Sequence, residues 1–176
     1  MKTKLTICVL SLGMAFNAIG APITSVRLEA KIEGKASYAR GKSESKTQTR
    51  KIVAEISNTS EKAINGAVMK WVIYGHEMKD HQKLKVIKQG EEKTNIPAND
   101  SKVVETAETK VTGNREYKVT SKSRGRSGGK SRSKTTVVPA SGEDYYGYAV
   151  EVFADGQLVA SYYSKPSIEK DMHPDP

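Results

Sequence analysis

The side chains best suited to chemistry sit in one run, Lys122 to Lys134, which reads KSRGRSGGKSRSK. Lys122, Arg124, Arg126, Lys130, Arg132 and Lys134 are its six cations, with no acid and no apolar side chain between them. Cations on a Gly/Ser backbone can neutralise phosphate, sulfate or carboxylate groups without a preformed pocket. The ending Gly129-Lys130-Ser131 is a superficial match to a phosphate loop. It lacks the first-glycine spacing and the strand and helix that aim backbone amides at a phosphate, so no nucleotide site is expected. The run also carries no interleaved aromatics to stack bases, which disfavours nucleic acid. An anionic cell-surface polymer or an acidic partner protein is the expected contact, set against the plainer reading of a solvated loop.

A second cluster, His76-Glu77-Met78-Lys79-Asp80-His81, brings two imidazoles and two carboxylates together in sequence. A helical zinc site needs its histidines four apart, so that both rings leave one face. Here they are five apart, in a segment that reads as a strand end and turn. His173, near the C-terminus, offers no obvious third ligand. Gly125-Arg126-Ser127-Gly128-Gly129 fits Gly-x-Ser-x-Gly by spacing alone, in a basic loop with no positioned base rather than a strand-to-helix elbow, and the acidic pairs Glu91-Glu92 and Glu143-Asp144 read as solvated charge. No catalytic residue, metal ligand or cofactor is therefore expected. A small secreted enzyme or enzyme-accessory subunit using the His76–His81 region stands as the alternative.

The chain has 29 Lys and Arg against 20 Asp and Glu, a net charge of +9. Lys2 and Lys4 precede an apolar run from Leu5 to Phe16, and Ala18-Ile19-Gly20 is a small-x-small ending, the pattern of a cleaved signal peptide over residues 1–20. Its loss leaves a charge of +7, and the seven cations of the acid-free segment 117–142 account for all of it. The expected protein is thus a neutral exported domain, periplasmic or extracellular, with one basic loop and no transmembrane span after cleavage. Cys8 lies within the signal, so the mature chain can form no internal disulfide. Asn58-Thr59-Ser60 and Asn99-Asp100-Ser101 fit the glycosylation sequon, which matters only in a eukaryotic secretory pathway.

The elements that must carry these residues show a period of two. Val26, Leu28, Ala30 and Ile32 alternate with charged residues, as do Ile52, Ala54 and Ile56 with their neighbours. The polar stretch 34–49 reads as a loop or a strand extension. Ala67, Met69, Trp71 and Ile73 form one face of a central strand. Further strands are expected near Leu84 and Val86 and over 103–112. Tyr117–Ser121 and Lys134–Val138 should form a hairpin with the basic run at its tip. Asp155-Gly156 should join Tyr146–Ala154 to Gln157–Tyr163 through a type I′ turn, with Val152 opposite Val159 and Tyr148 opposite Tyr163. Tyr74, Tyr145 and Tyr162 are expected to cover sheet edges. Residues 166–176, with three prolines, read as a disordered tail.

Ile56 to Ser60 (ISNTS), Ile64 to Tyr74 (INGAVMKWVIY) and Tyr146 to Val152 (YGYAVEV) resemble strands of bacterial immunoglobulin-like modules. The resemblance implies that Trp71 fills the core and that Tyr146 or Tyr148 caps a corner. The expected fold is therefore an all-β, antiparallel immunoglobulin-like β-sandwich of about seven or eight strands over residues 21–165, with a long basic loop. Such a fold implies no activity. The function expected is that of an exported, non-enzymatic binding or structural module.

Overall fold

The computed structural model describes residues 25–39, 45–123 and 132–174. The expected signal peptide lies outside them, as do residues 124–131 of the basic run. The described chain is antiparallel all-β, as expected, with eight strands in one sheet, two more in a separate hairpin, and one helix. One sheet face is built by β1 (Val26–Ala39), β2 (Ser45–Asn58), β5 (Asp100–Glu105) and β6 (Thr109–Asn114). The facing one holds β4 (Asp80–Ile96), β3 (Ile64–Glu77), β9 (Ser141–Ala154) and β10 (Gln157–Tyr163), in that order. Strand β9 links the two: Ser141 and Gly142 pair with β6, and Glu143 onward pairs with β3. β7 (Tyr117–Ser123) and β8 (Arg132–Val138) form a separate two-stranded sheet.

The core lies where the alternation placed it. Ile52, Ala54 and Ile56 of β2 meet Ala67, Met69, Trp71 and Ile73 of β3 and Tyr148, Val150 and Val152 of β9. Burying a large apolar side chain stabilises the fold by about 1.5–3 kcal/mol, so this set supplies most of the driving force. Trp71 lies against Gly90, its partner across the β3–β4 ladder, and a Cβ at Gly90 would stand 2.6 Å from the indole. That close approach explains a glycine in the middle of a long strand. Tyr148 reaches across the core to donate its hydroxyl to the Ala30 carbonyl at 2.8 Å, which ties the two sheets together.

The polar stretch 34–49 is strand, the extension that the sequence left open beside a loop, apart from residues 40–44, which are outside the described ones. β1 and β2 keep one unbroken register from Val26↔Asn58 to Ala39↔Ser45. Backbone pairing there continues past the core into a largely exposed ribbon. The β9–β10 turn has positive φ at Asp155 (50°) and Gly156 (78°), as the Asp-Gly pair predicts. Its register holds only for the first two pairs. A bulge between Leu158 and Ala160 then sets Ala160 against Val152, Ser161 against Glu151 and Tyr163 against Ala149. One extra residue lets both Val159 and Ala160 pack on the core.

The expected tail is corrected next. Pro166–Met172 form helix α1, with Pro in its first turn and Ile168 fully buried. A seven-residue helix is marginal alone. Ile168 docks with Tyr74 and Ala149 on the outer face of the β3–β9 sheet, with Val72, Leu84, Tyr146, Tyr163 and Met172 around it. Finally, Asn58 is no glycosylation site. It is 1% exposed, and its Nδ2 donates to the carbonyls of Lys62 (2.8 Å) and Pro97 (3.0 Å). No helix among the described residues is long and apolar enough to cross a membrane.

Candidate functional site

The basic run is mounted on a hairpin of its own. β7 and β8 pair from Tyr117↔Val138 through Ser121↔Lys134 and Lys122↔Ser133 to Ser123↔Arg132. This ladder brings the two ends of the run together, so Lys122 and Arg132 occupy neighbouring register positions. Arg124, Arg126 and Lys130 lie outside the described residues. The hairpin's local chemistry is polar: Thr120 and Thr135 hydroxyls are 3.2 Å apart, and the Ser121 hydroxyl donates to the Lys134 carbonyl at 3.3 Å. Lys118 and Lys134 are exposed, and among the described residues neither makes an ion pair. Cross-strand Thr and β-branched pairs of this kind each add about 0.2–1 kcal/mol to a two-stranded ribbon.

The hairpin roots beside a cleft of about 260 Å³ at the end of the sandwich. Arg115 at the cleft is two residues before β7, and Glu143 follows the β8–β9 connection closely. Tyr38 of β1 forms one wall and is 67% exposed, the most exposed large hydrophobic side chain among the described residues. Met78, from the β3–β4 turn, lies by Gly113, and its amide donates to the Gly142 carbonyl at 2.9 Å. Lys46 Nζ pairs with Asp144 Oδ1 at 2.9 Å, and Lys85 pairs with Glu143 at 2.6 Å. Both acids at the cleft are thus already neutralised by the protein's own lysines. The hydrogen bond to Glu143 raises the Lys85 pKa, followed by its charge.

The His76–His81 cluster does not assemble. His76 ends β3 with its ring edge-on to Tyr146 at 4.3 Å, whereas His81 is exposed near the start of β4. Asp80 accepts the Gln82 amide at 3.1 Å. Among the described residues, no group of three or more His, Cys, Asp or Glu side chains is placed to hold a metal ion. His173 instead caps α1, and its Nε2 stands 2.6 Å from Glu151 Oε1. The Tyr163 hydroxyl donates to the same oxygen at 2.8 Å, and Glu151 is 4% exposed. Burial first, then the bond to Glu151, pushes the Tyr163 pKa up to about 12. This cluster fastens α1 to the sheet.

Sequence reasoning missed both the cleft and the Glu151 cluster. The cleft draws two residues each from β1, β2 and β9, Gly113 from β6, and Met78 and Arg115 from the segments after β3 and β6, a pattern with no linear signal. Glu151 did leave a trace: a carboxylate between Val150 and Val152 in a strand with two covered faces must find a buried partner. Tyr74 is buried, and Tyr145 and Tyr162 pack against the core rather than forming a binding face.

No known protein-family model matches the chain, and no curated protein matches it. Among solved structures, a protein from Akkermansia muciniphila is 15% identical, with 86% of this chain and 77% of that one aligned, at a TM-score of 0.33. The X-ray structure of the Northeast Structural Genomics Consortium target SoR45 is 19% identical over 68% of this chain and 86% of that one, at 0.36. Both scores are low, so the functional reading rests on the chain's own residues.

Proposed function

We propose that this protein is an exported, non-enzymatic binding module of immunoglobulin-like type that contacts anionic surface polymers through the basic hairpin, residues 122–134. The observation that carries this reading is the separation of the hairpin from the sandwich. Its strands pair only with each other as a sheet, and Lys118 and Lys134 on them are exposed. The remainder of the chain after residue 20 sums to no net charge, so segment 117–142 carries the excess positive charge. The immunoglobulin-like type is supported by the pairing order β4–β3–β9–β10 and by Trp71 in the core on the third strand. Export is supported by the signal-like first twenty residues.

The test replaces Lys122, Arg124, Arg126, Lys130, Arg132 and Lys134 with Ser and compares retention on heparin and lipopolysaccharide matrices. Wild type should be retained and should elute earlier as salt rises, because charge-driven binding is screened. The serine variant should flow through at low salt. Equal retention of the two proteins would sink the proposal.

A further inference from the structure

We infer that Arg50 of β2, Thr109 of β6 and Lys88 of β4 form a site for a small tetrahedral oxoanion, a phosphate or sulfate group, at the seam between the two faces of the sandwich. The site is independent of the basic hairpin. Alternate residues of β2 face the core: Gln48, Ile52, Ala54 and Ile56 are buried, and Arg50 falls in the same series. Thr109 is the partner of Arg50 in the β2–β6 ladder and so projects from the same face. Lys88 stands opposite the core residue Ile73 in the β3–β4 ladder, so it too points between the sheets. Its Nζ donates to the Glu108 carbonyl at 3.3 Å, one residue from Thr109. Two inward-facing cations are thus gathered around one threonine.

Their polar atoms lack partners. Arg50 Nε and Thr109 Oγ1 are enclosed without a hydrogen bond, and Thr109 is 4% exposed. Among the described residues no carboxylate pairs with Arg50 or Lys88. The guanidinium instead lies over the Tyr145 ring, 5.0 Å from its centroid. Turning charge into a protein interior is costly unless an opposite charge compensates it. An inward-pointing lysine guards an edge strand against further pairing, which accounts for Lys88 alone. It leaves Arg50 Nε and the Thr109 hydroxyl without a reason. A tetrahedral oxoanion answers all three groups, accepting from the guanidinium, the ammonium and the hydroxyl along separate directions. A planar carboxylate is served by the arginine fork alone. Arg50 and Lys88 are each half-buried, so the seam is open to an anion from solvent.

The test titrates inorganic phosphate, inorganic sulfate and acetate, each at the same ionic strength, into the six-serine variant by calorimetry, so that the basic run contributes nothing. Phosphate or sulfate should bind saturably, and acetate about tenfold more weakly or worse. The two tetrahedral titrations distinguish phosphate from sulfate. Arg50→Met should weaken the tetrahedral anion about ten- to hundredfold, as expected for lost hydrogen bonds to a charged group. Thr109→Val, which keeps the shape, should weaken it about two- to tenfold. In chloride alone, Arg50→Met should unfold at the same or a higher temperature than its parent, because it removes an uncompensated charge. That control separates lost binding from a lost fold. The absence of saturable phosphate or sulfate binding, or binding that Arg50→Met leaves unchanged, overturns the site. Equal affinity for acetate overturns the tetrahedral class. A lower unfolding temperature for Arg50→Met in chloride would show the guanidinium already compensated within the chain, and overturns the reason for an anion there.

Discussion

At the scale of single residues, the tyrosines report how the core is built. Burial is the first cause of the raised pKa at Tyr145 and Tyr163, both pushed to about 12, and of the upward shift at Tyr148. At Tyr145 the nearby Arg50 guanidinium, 5.0 Å from the ring centroid, opposes the shift. A phenol whose folded pKa is raised keeps its proton longer in the folded protein than in the unfolded chain. Its stabilising effect is complete below the ordinary value of 10 and is lost as pH rises through the folded value. Stability should therefore fall between about pH 10 and 12. Phenolate absorbance in that window should rise together with the loss of folded circular dichroism for these rings. Free ionisation of all tyrosines near pH 10 without unfolding would contradict their placement.

Among the elements, α1 and the β9–β10 hairpin show how far local pattern reaches. The Asp155-Gly156 turn is local chemistry, and its two positive φ angles follow from residue type. The bulge one residue beyond Leu158 does not. It satisfies two side chains, Val159 and Ala160, that both compete for the core. Helix α1 is decided even less locally, because three prolines and four charged residues in 166–176 say nothing about the apolar seat waiting on Tyr74 and Ala149. Ile168→Ala should cost the docking of α1 about 2–5 kcal/mol at that seat. Amide hydrogen exchange over residues 166–172 should then accelerate far more than exchange in β3, since the sandwich core does not include Ile168. Unchanged protection of these amides would show that the helix is held by something other than its buried isoleucine.

For the whole molecule, the consequence is a division between a neutral sandwich and a charged appendage. Replacing residues 122–134 with a short Gly/Ser connection should leave unfolding stability within about 0.5 kcal/mol, because β7 and β8 form their own sheet. Denaturant unfolding checks this directly, and a loss of several kcal/mol would mean that the hairpin supports the core. The sequence by itself determined the strand periodicity, the Trp71 face, the Asp-Gly turn, the hairpin frame of 117–138 and its concentration of charge. These are readable because a period of two, turn chemistry and net charge are properties of neighbouring residues. Only the tertiary structure decided the switch of β9 between sheets, the bulge, the docking of α1 through Ile168 and the His173–Glu151 contact, and the meeting of Tyr38, Lys46, Met78 and Asp144 in one cleft. Those depend on contacts between residues distant in the chain, whose free energy exists only once the sheets have closed on each other.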